Sequence, residues 1–103
     1  MTEKITFEQA KELLDTRPGS VLVDVREEEE YITGHGVGAV LLPVDSINGE
    51  TAAAALPDKN APVLLYCRTG RRSAMAAERL TALGYRAVYD VGSLAGWPYG
   101  LEP

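Results

Sequence analysis

Cys67 is the only cysteine in a chain of 103 residues. Three arginines, Arg68, Arg71 and Arg72, follow it directly, and Thr69, Gly70 and Ser73 complete the stretch Tyr66-Cys67-Arg68-Thr69-Gly70-Arg71-Arg72-Ser73. Fixed cations favour a thiolate over a thiol, because the anion is the form they stabilise. Gly70 lets the backbone bend so that successive N–H groups face inward around an anion. A thiolate in such a cradle suits two chemistries. It can attack the outer sulfur of a sulfane donor and keep it as Cys–S–S⁻, with the cradle holding the terminal sulfur. Alternatively it can attack phosphorus, with the cradle holding phosphate oxygens. A free cysteine on its own reads as a small buried hydrophobe. Its neighbours change that reading here. Three cations at a helix start oppose the dipole, and a bound anion resolves the conflict.

Those residues need a strand before them and a helix after them. Val63-Leu64-Leu65-Tyr66 reads as the strand, and a helix is expected from about Ser73 to Leu83, with Ala76, Leu80 and Leu83 on one face and Gly84 just past its end. In open parallel sheets ligands bind beyond the C-terminal strand ends, which is where Cys67 falls. Upstream, Thr6 and Gln9 form a capping-box signature ahead of Phe7, Ala10, Leu13 and Leu14 at helical spacing, and Arg17-Pro18-Gly19 ends that helix. Val21 to Val25 is a strand buried on both faces. Glu27 to Glu30 suit the first turn of a short helix. Gly34 to Gly38 is a loop, Ala39 to Leu42 a strand stopped by Pro43, and an alanine-rich helix lies between Ser46 and Leu56, closed by Pro57. Asn48-Gly49, a turn signal, leaves the start of that helix open. Ala87 to Val91 is a further strand, and Gly92 to Gly96 is expected to form one more helical turn before Trp97-Pro98. Alternating strands and helices predict an α/β fold with a mostly parallel sheet covered on both faces. No repeat or long linker divides the chain, so residues 1–103 are expected to form one domain.

The formal net charge of −5 argues against nucleic acid as a partner. A local basic spot on an acidic body points instead to a small anion. No apolar run approaches the roughly 20 residues of a membrane span. Met1-Thr2-Glu3-Lys4 lacks the pattern of a secretory signal, which predicts a cytoplasmic protein. One cysteine makes no internal disulfide, and with His35 as the only histidine no metal site is expected. No cofactor is called for, and nothing demands more than a monomer.

The sequence resembles the rhodanese homology domain along nearly its whole length. Val21-Leu22-Val23-Asp24-Val25-Arg26-Glu27 with Glu30-Tyr31 is similar to the family's first signature, His35-Gly36-Val37-Gly38-Ala39 to its loop motif, and Cys67 to Ser73 to its active-site loop. Gly84 to Tyr89 and Gly92 to Trp97 resemble its closing strand and terminal motif. Gly36 and Val37 depart from the Ile-Pro common in that family, and Ser93 stands where a second glycine is common. The resemblance implies a central parallel sheet of about five strands with helices on both faces. It implies Cys67 as a persulfide carrier, the amides of Arg68, Thr69, Gly70, Arg71, Arg72 and Ser73 as its cradle, and thiosulfate sulfurtransferase activity with cyanide or a thiol as acceptor. A relay of sulfur to a protein acceptor is the alternative. Related phosphatases and arsenate reductases place Arg at the seventh loop position, where this chain has Ser73; its last arginine, Arg72, is the sixth. A shorter loop suits one sulfur atom and ranks phosphoryl or arsenate chemistry lower.

Asp24 and Arg26 are expected to form an ion pair that braces the active-site loop. His35 reads as structural, hydrogen-bonding a glycine-rich turn. Glu27 to Glu30 read as a solvated face. Tyr31, Tyr66, Tyr85 and Tyr89 read as packing residues, and Trp97 as cover for an edge of the core ahead of a place at the pocket mouth.

Overall fold

The computed structural model describes residues 2–103. Five strands form a parallel sheet in the order β1-β6-β5-β2-β4: β1 (Thr2–Lys4), β2 (Val21–Asp24), β4 (Val40–Leu41), β5 (Val63–Cys67) and β6 (Val88–Ser93). β5 is central and buried at every position. Its alternation splits the core in two. Val63, Leu65 and Cys67 pack with Val23, Val25, Leu56, Ala76 and Leu80 on one face. Leu64 and Tyr66 pack with Ala10, Leu22 and Trp97 on the other. Helices α3 (Gly49–Ala55) and α4 (Arg71–Ala82) supply the first face, and α1 (Phe7–Thr16) covers the second. Cys67 therefore faces the α4 side. No helix among the described residues is long and apolar enough to cross a membrane.

The Thr6–Gln9 capping box starts α1 as expected. Asn48 is not a turn breaking the alanine-rich segment. Its side-chain oxygen accepts the Glu50 and Thr51 amides, both at 2.9 Å, and so starts α3. α4 begins at Arg71, earlier than the apolar spacing suggested. The expected helical turn at Gly92 to Gly96 does not form. β6 runs on to Ser93 through a register shift opposite Leu65 and Tyr66, with Gly92 at φ +82°, and a tight turn at Ala95–Gly96 follows. Two further pairings lay beyond sequence reading. β1 is a polar edge strand, and β3 (His35–Gly36) pairs antiparallel with β7 (Leu101–Glu102).

Candidate active site

β5 delivers Cys67 to the carboxyl edge of the sheet, where its carbonyl accepts the Leu94 amide at 3.2 Å. The chain then turns through Arg68 and Thr69 to Gly70, whose φ of +92° is a left-handed value that a side chain would strain. Gly70 stands just before the first turn of α4. Its N–H donates to Cys67 Sγ at 2.9 Å, and the Ser73 N–H donates to the same sulfur at 3.4 Å. The amides of Arg68, Thr69, Arg71 and Arg72 have no partner among the described residues. Donors aimed at a sulfur stabilise its anion more than its neutral form.

Cys67 is 0 % exposed. It forms the floor of a pocket of about 220 Å³ walled by Arg26, Gly34, Arg68, Leu94, Ala95 and Leu101. The arginines after the cysteine are not equivalent. Arg68 lines the pocket, Arg71 is exposed, and Arg72 points its guanidinium at Glu30, with Nη1 2.6 Å from Oε1 and Nη2 2.9 Å from Oε2. That pair, with the Glu27 amide, holds the Glu30 carboxyl down at about 2, against a burial penalty that pushes it up. Glu30 is thus an ion-pair partner of the loop. Glu27, Glu28 and Glu29 are exposed, as expected of a solvated face.

Ser73 meets the sulfur through its amide, while its hydroxyl donates to the Gly70 carbonyl at 3.0 Å. Thr69 is exposed. A hydroxyl that sequence reading passed over holds the loop from outside: Ser93 Oγ donates to the Arg68 carbonyl at 2.6 Å and accepts the Ala95 amide at 3.1 Å.

Asp24 and Arg26 do form an ion pair, with Arg26 Nη2 2.8 Å from Asp24 Oδ2. It braces a different loop from the one expected. Arg26 Nη2 also donates to the Gly34 carbonyl at 2.7 Å. Tyr66 does more than pack: it donates its hydroxyl to Asp24 Oδ2 at 2.7 Å and accepts the Gly36 amide at 3.0 Å. β2 and β5 place Asp24 and Tyr66 side by side in register. The three side chains thereby fix the Gly34–Gly36 segment, of which Gly34 lines the pocket. Burial, then the Asp24 bond, raises the Tyr66 phenol well above its ordinary value, and the Asp24 bond reinforces the charge of Arg26.

His35 is structural by geometry. Its ring stacks on Tyr31 at 3.7 Å, and Nδ1 lies 2.9 Å from the Tyr31 carbonyl. A carbonyl only accepts, so Nδ1 carries the proton. Trp97 meets Phe7 and Tyr99 edge-on at 5.3 and 5.0 Å and covers the α1 side of the core, away from the Cys67 pocket.

Residues 6–98 match the rhodanese-like domain. Thiosulfate sulfurtransferase PspE of Escherichia coli is 42 % identical over 72 residues, covering 70 % of this chain and 68 % of that protein. The probable adenylyltransferase/sulfurtransferase MoeZ of Mycobacterium tuberculosis is 35 % identical over 100 residues, 96 % of this chain but only 25 % of that protein. The solved structure of a rhodanese with anions from E. coli superposes with a TM-score of 0.74 at 36 % identity, covering 81 % of this chain and 96 % of the other.

Proposed function

The chain belongs to the rhodanese-like domain family, and from that premise we propose that it is a sulfurtransferase carrying sulfane sulfur as a persulfide on Cys67. The observation that carries this reading is the Cys67 sulfur seated on the Gly70 and Ser73 amides, at the floor of a pocket lined by Arg26 and Arg68. With thiosulfate as donor, the Cys67 thiolate attacks the outer sulfur. A new S–S bond forms, and the electron pair of the old one leaves with sulfite. The charge of the product, Cys–S–S⁻, sits on the terminal sulfur, which the unpartnered amides of the loop are free to bind. An acceptor such as cyanide or a thiolate then attacks that terminal sulfur and returns Cys67 to the thiolate. Residues 1–103 act as one such unit in this reading.

Thiosulfate as donor is supported by the similarity to PspE. A protein acceptor is the second reading, supported by the match to a quarter of MoeZ, whose name joins adenylyl and sulfur transfer. The recessed sulfur then requires the partner to enter by a narrow group.

Intact-mass measurement before and after thiosulfate, with a cyanide chase, tests the proposal. The chain is expected to gain one sulfur and lose it to cyanide, and Cys67→Ala is expected to do neither. Full thiosulfate:cyanide turnover in Cys67→Ala rejects the assignment. Hydrolysis of an aryl phosphate without sulfur uptake replaces it with phosphoryl chemistry.

A further inference from the structure

We propose that Glu30 determines how strongly the site draws an anionic donor, by masking the charge of Arg72. The proposal deepens the sulfurtransferase reading and rests on it for the identity of the anion.

Four arginines line the Cys67 pocket or follow Cys67 in its loop, in two different states. Arg68 and Arg71 are exposed and have no carboxylate within ion-pair distance among the described residues. Arg26 is tied to Asp24, and Arg72 to Glu30. Arg72 precedes Ser73, whose amide touches the sulfur. Left free, it would add a full positive charge to the approach. Glu30 grips it with both oxygens, in the fork-on-fork geometry that guanidinium and carboxylate favour. The grip is braced from behind. The Glu27 amide donates to Glu30 Oε1 at 3.0 Å and fixes the carboxylate at the start of α2 (Glu28–Tyr31). The two side chains keep 30 % and 29 % of their surface exposed, so solvent still screens part of the attraction.

A partly exposed pair of this kind adds little to stability. Its larger effect is on charge: the pair is neutral where Arg72 alone would be cationic. One unit charge roughly 8–10 Å from a passing anion changes its local concentration about twofold at low salt, and about fourfold for a dianion. Glu30 therefore trims the attraction for a doubly charged donor more than for a singly charged one, and leaves neutral reagents untouched.

The test uses alkylation of Cys67 in the full chain by iodoacetate, an anion, and iodoacetamide, its neutral analogue. The ratio of the two rates cancels changes in thiol reactivity and access. Glu30→Gln is expected to raise that ratio about twofold at low salt, and Arg72→Gln to lower it by a similar factor. The double variant is expected to return to the wild-type ratio, Glu30→Asp to keep it, and added salt to erase the differences. A Glu30→Gln ratio equal to wild type overturns the proposal, as does a double variant that stays raised. Alkylation requires no sulfur transfer, so this result stands apart from the intact-mass test: either can fail alone. If both hold, the KM for thiosulfate falls in Glu30→Gln while kcat is kept.

Discussion

Replacing Tyr66 with Phe removes one oxygen and breaks two hydrogen bonds in the interior. The hydroxyl donates to Asp24 Oδ2 at 2.7 Å and accepts the Gly36 amide at 3.0 Å, and both Tyr66 and Asp24 are 0 % exposed. Water has no route to replace it without opening the fold. Losing a donor to a charged acceptor costs about 1.5–3 kcal/mol, and stranding a buried amide about 1–3 kcal/mol. Two effects offset part of this. The wild-type hydroxyl is itself desolvated, and Asp24 keeps the Arg26 guanidinium and backbone amide. A net loss of about 2–4 kcal/mol remains. At about 4–8 °C per kcal/mol for a domain of this size, the Tm falls by at least about 8 °C. The control is Tyr85→Phe, whose hydroxyl donates only to the uncharged Leu56 carbonyl and is expected to cost about 1 kcal/mol. Urea and thermal unfolding of both variants at neutral pH make the comparison. If Tyr66→Phe costs no more than Tyr85→Phe, the bridging role assigned to Tyr66 is wrong. The pH dependence supplies a second check. The folded pKa of Tyr66 lies above the ordinary 10.0, so its contribution is fully present below about pH 10 and is lost as pH rises through the folded value. Wild type should lose stability above about pH 10 more steeply than Tyr66→Phe. Tyr85, also raised, is present in both proteins and drops out of the difference.

Gly70→Ala meets no steric block, since the added carbon lies 3.6 Å from Gly92 Cα, but it forces a side chain to φ +92°. The expected cost is about 1–2 kcal/mol of stability, with persulfide formation slowed at least about tenfold as the Gly70 amide turns off the sulfur; wild-type single-turnover rates would show that the cradle geometry is dispensable. Glu30 is held at about 2 against an ordinary 4.5, so its stabilising contribution is present above about pH 4.5 and disappears as pH falls towards 2. Urea midpoints across that window should therefore decline less in Glu30→Gln than in wild type, and equal slopes would dissociate the low pKa from the Arg72 pair.

What could be read from the sequence was what local pattern decides. Val63 to Tyr66 is apolar without a break, and Cys67 and Gly70 follow at a strand-to-helix junction, so strand, loop and the sulfur of the proposed chemistry were visible together. Glu30 and Tyr66 were not, because their roles depend on distant partners. Glu30 meets Arg72 across 42 positions, and Tyr66 meets Asp24 across 42. Both meetings require the strand order β5-β2, which no window of sequence contains. Strands as short and polar as Thr2–Lys4 carry no periodicity to detect. The misplaced start of α4 is more instructive. Helix starts are recognised by a Ser, Thr, Asp or Asn that caps the free amides. α4 begins after Gly70, which has no side chain to do so, and the acceptor of its Gly70 and Ser73 amides is Cys67 Sγ. The group that reacts in the proposed chemistry is thus also the group that caps the helix. The same amides that order the first turn of α4 therefore end on the atom that carries sulfur in the proposed chemistry. A conventional cap would have made the helix start legible, and would have competed with Cys67 for those amides.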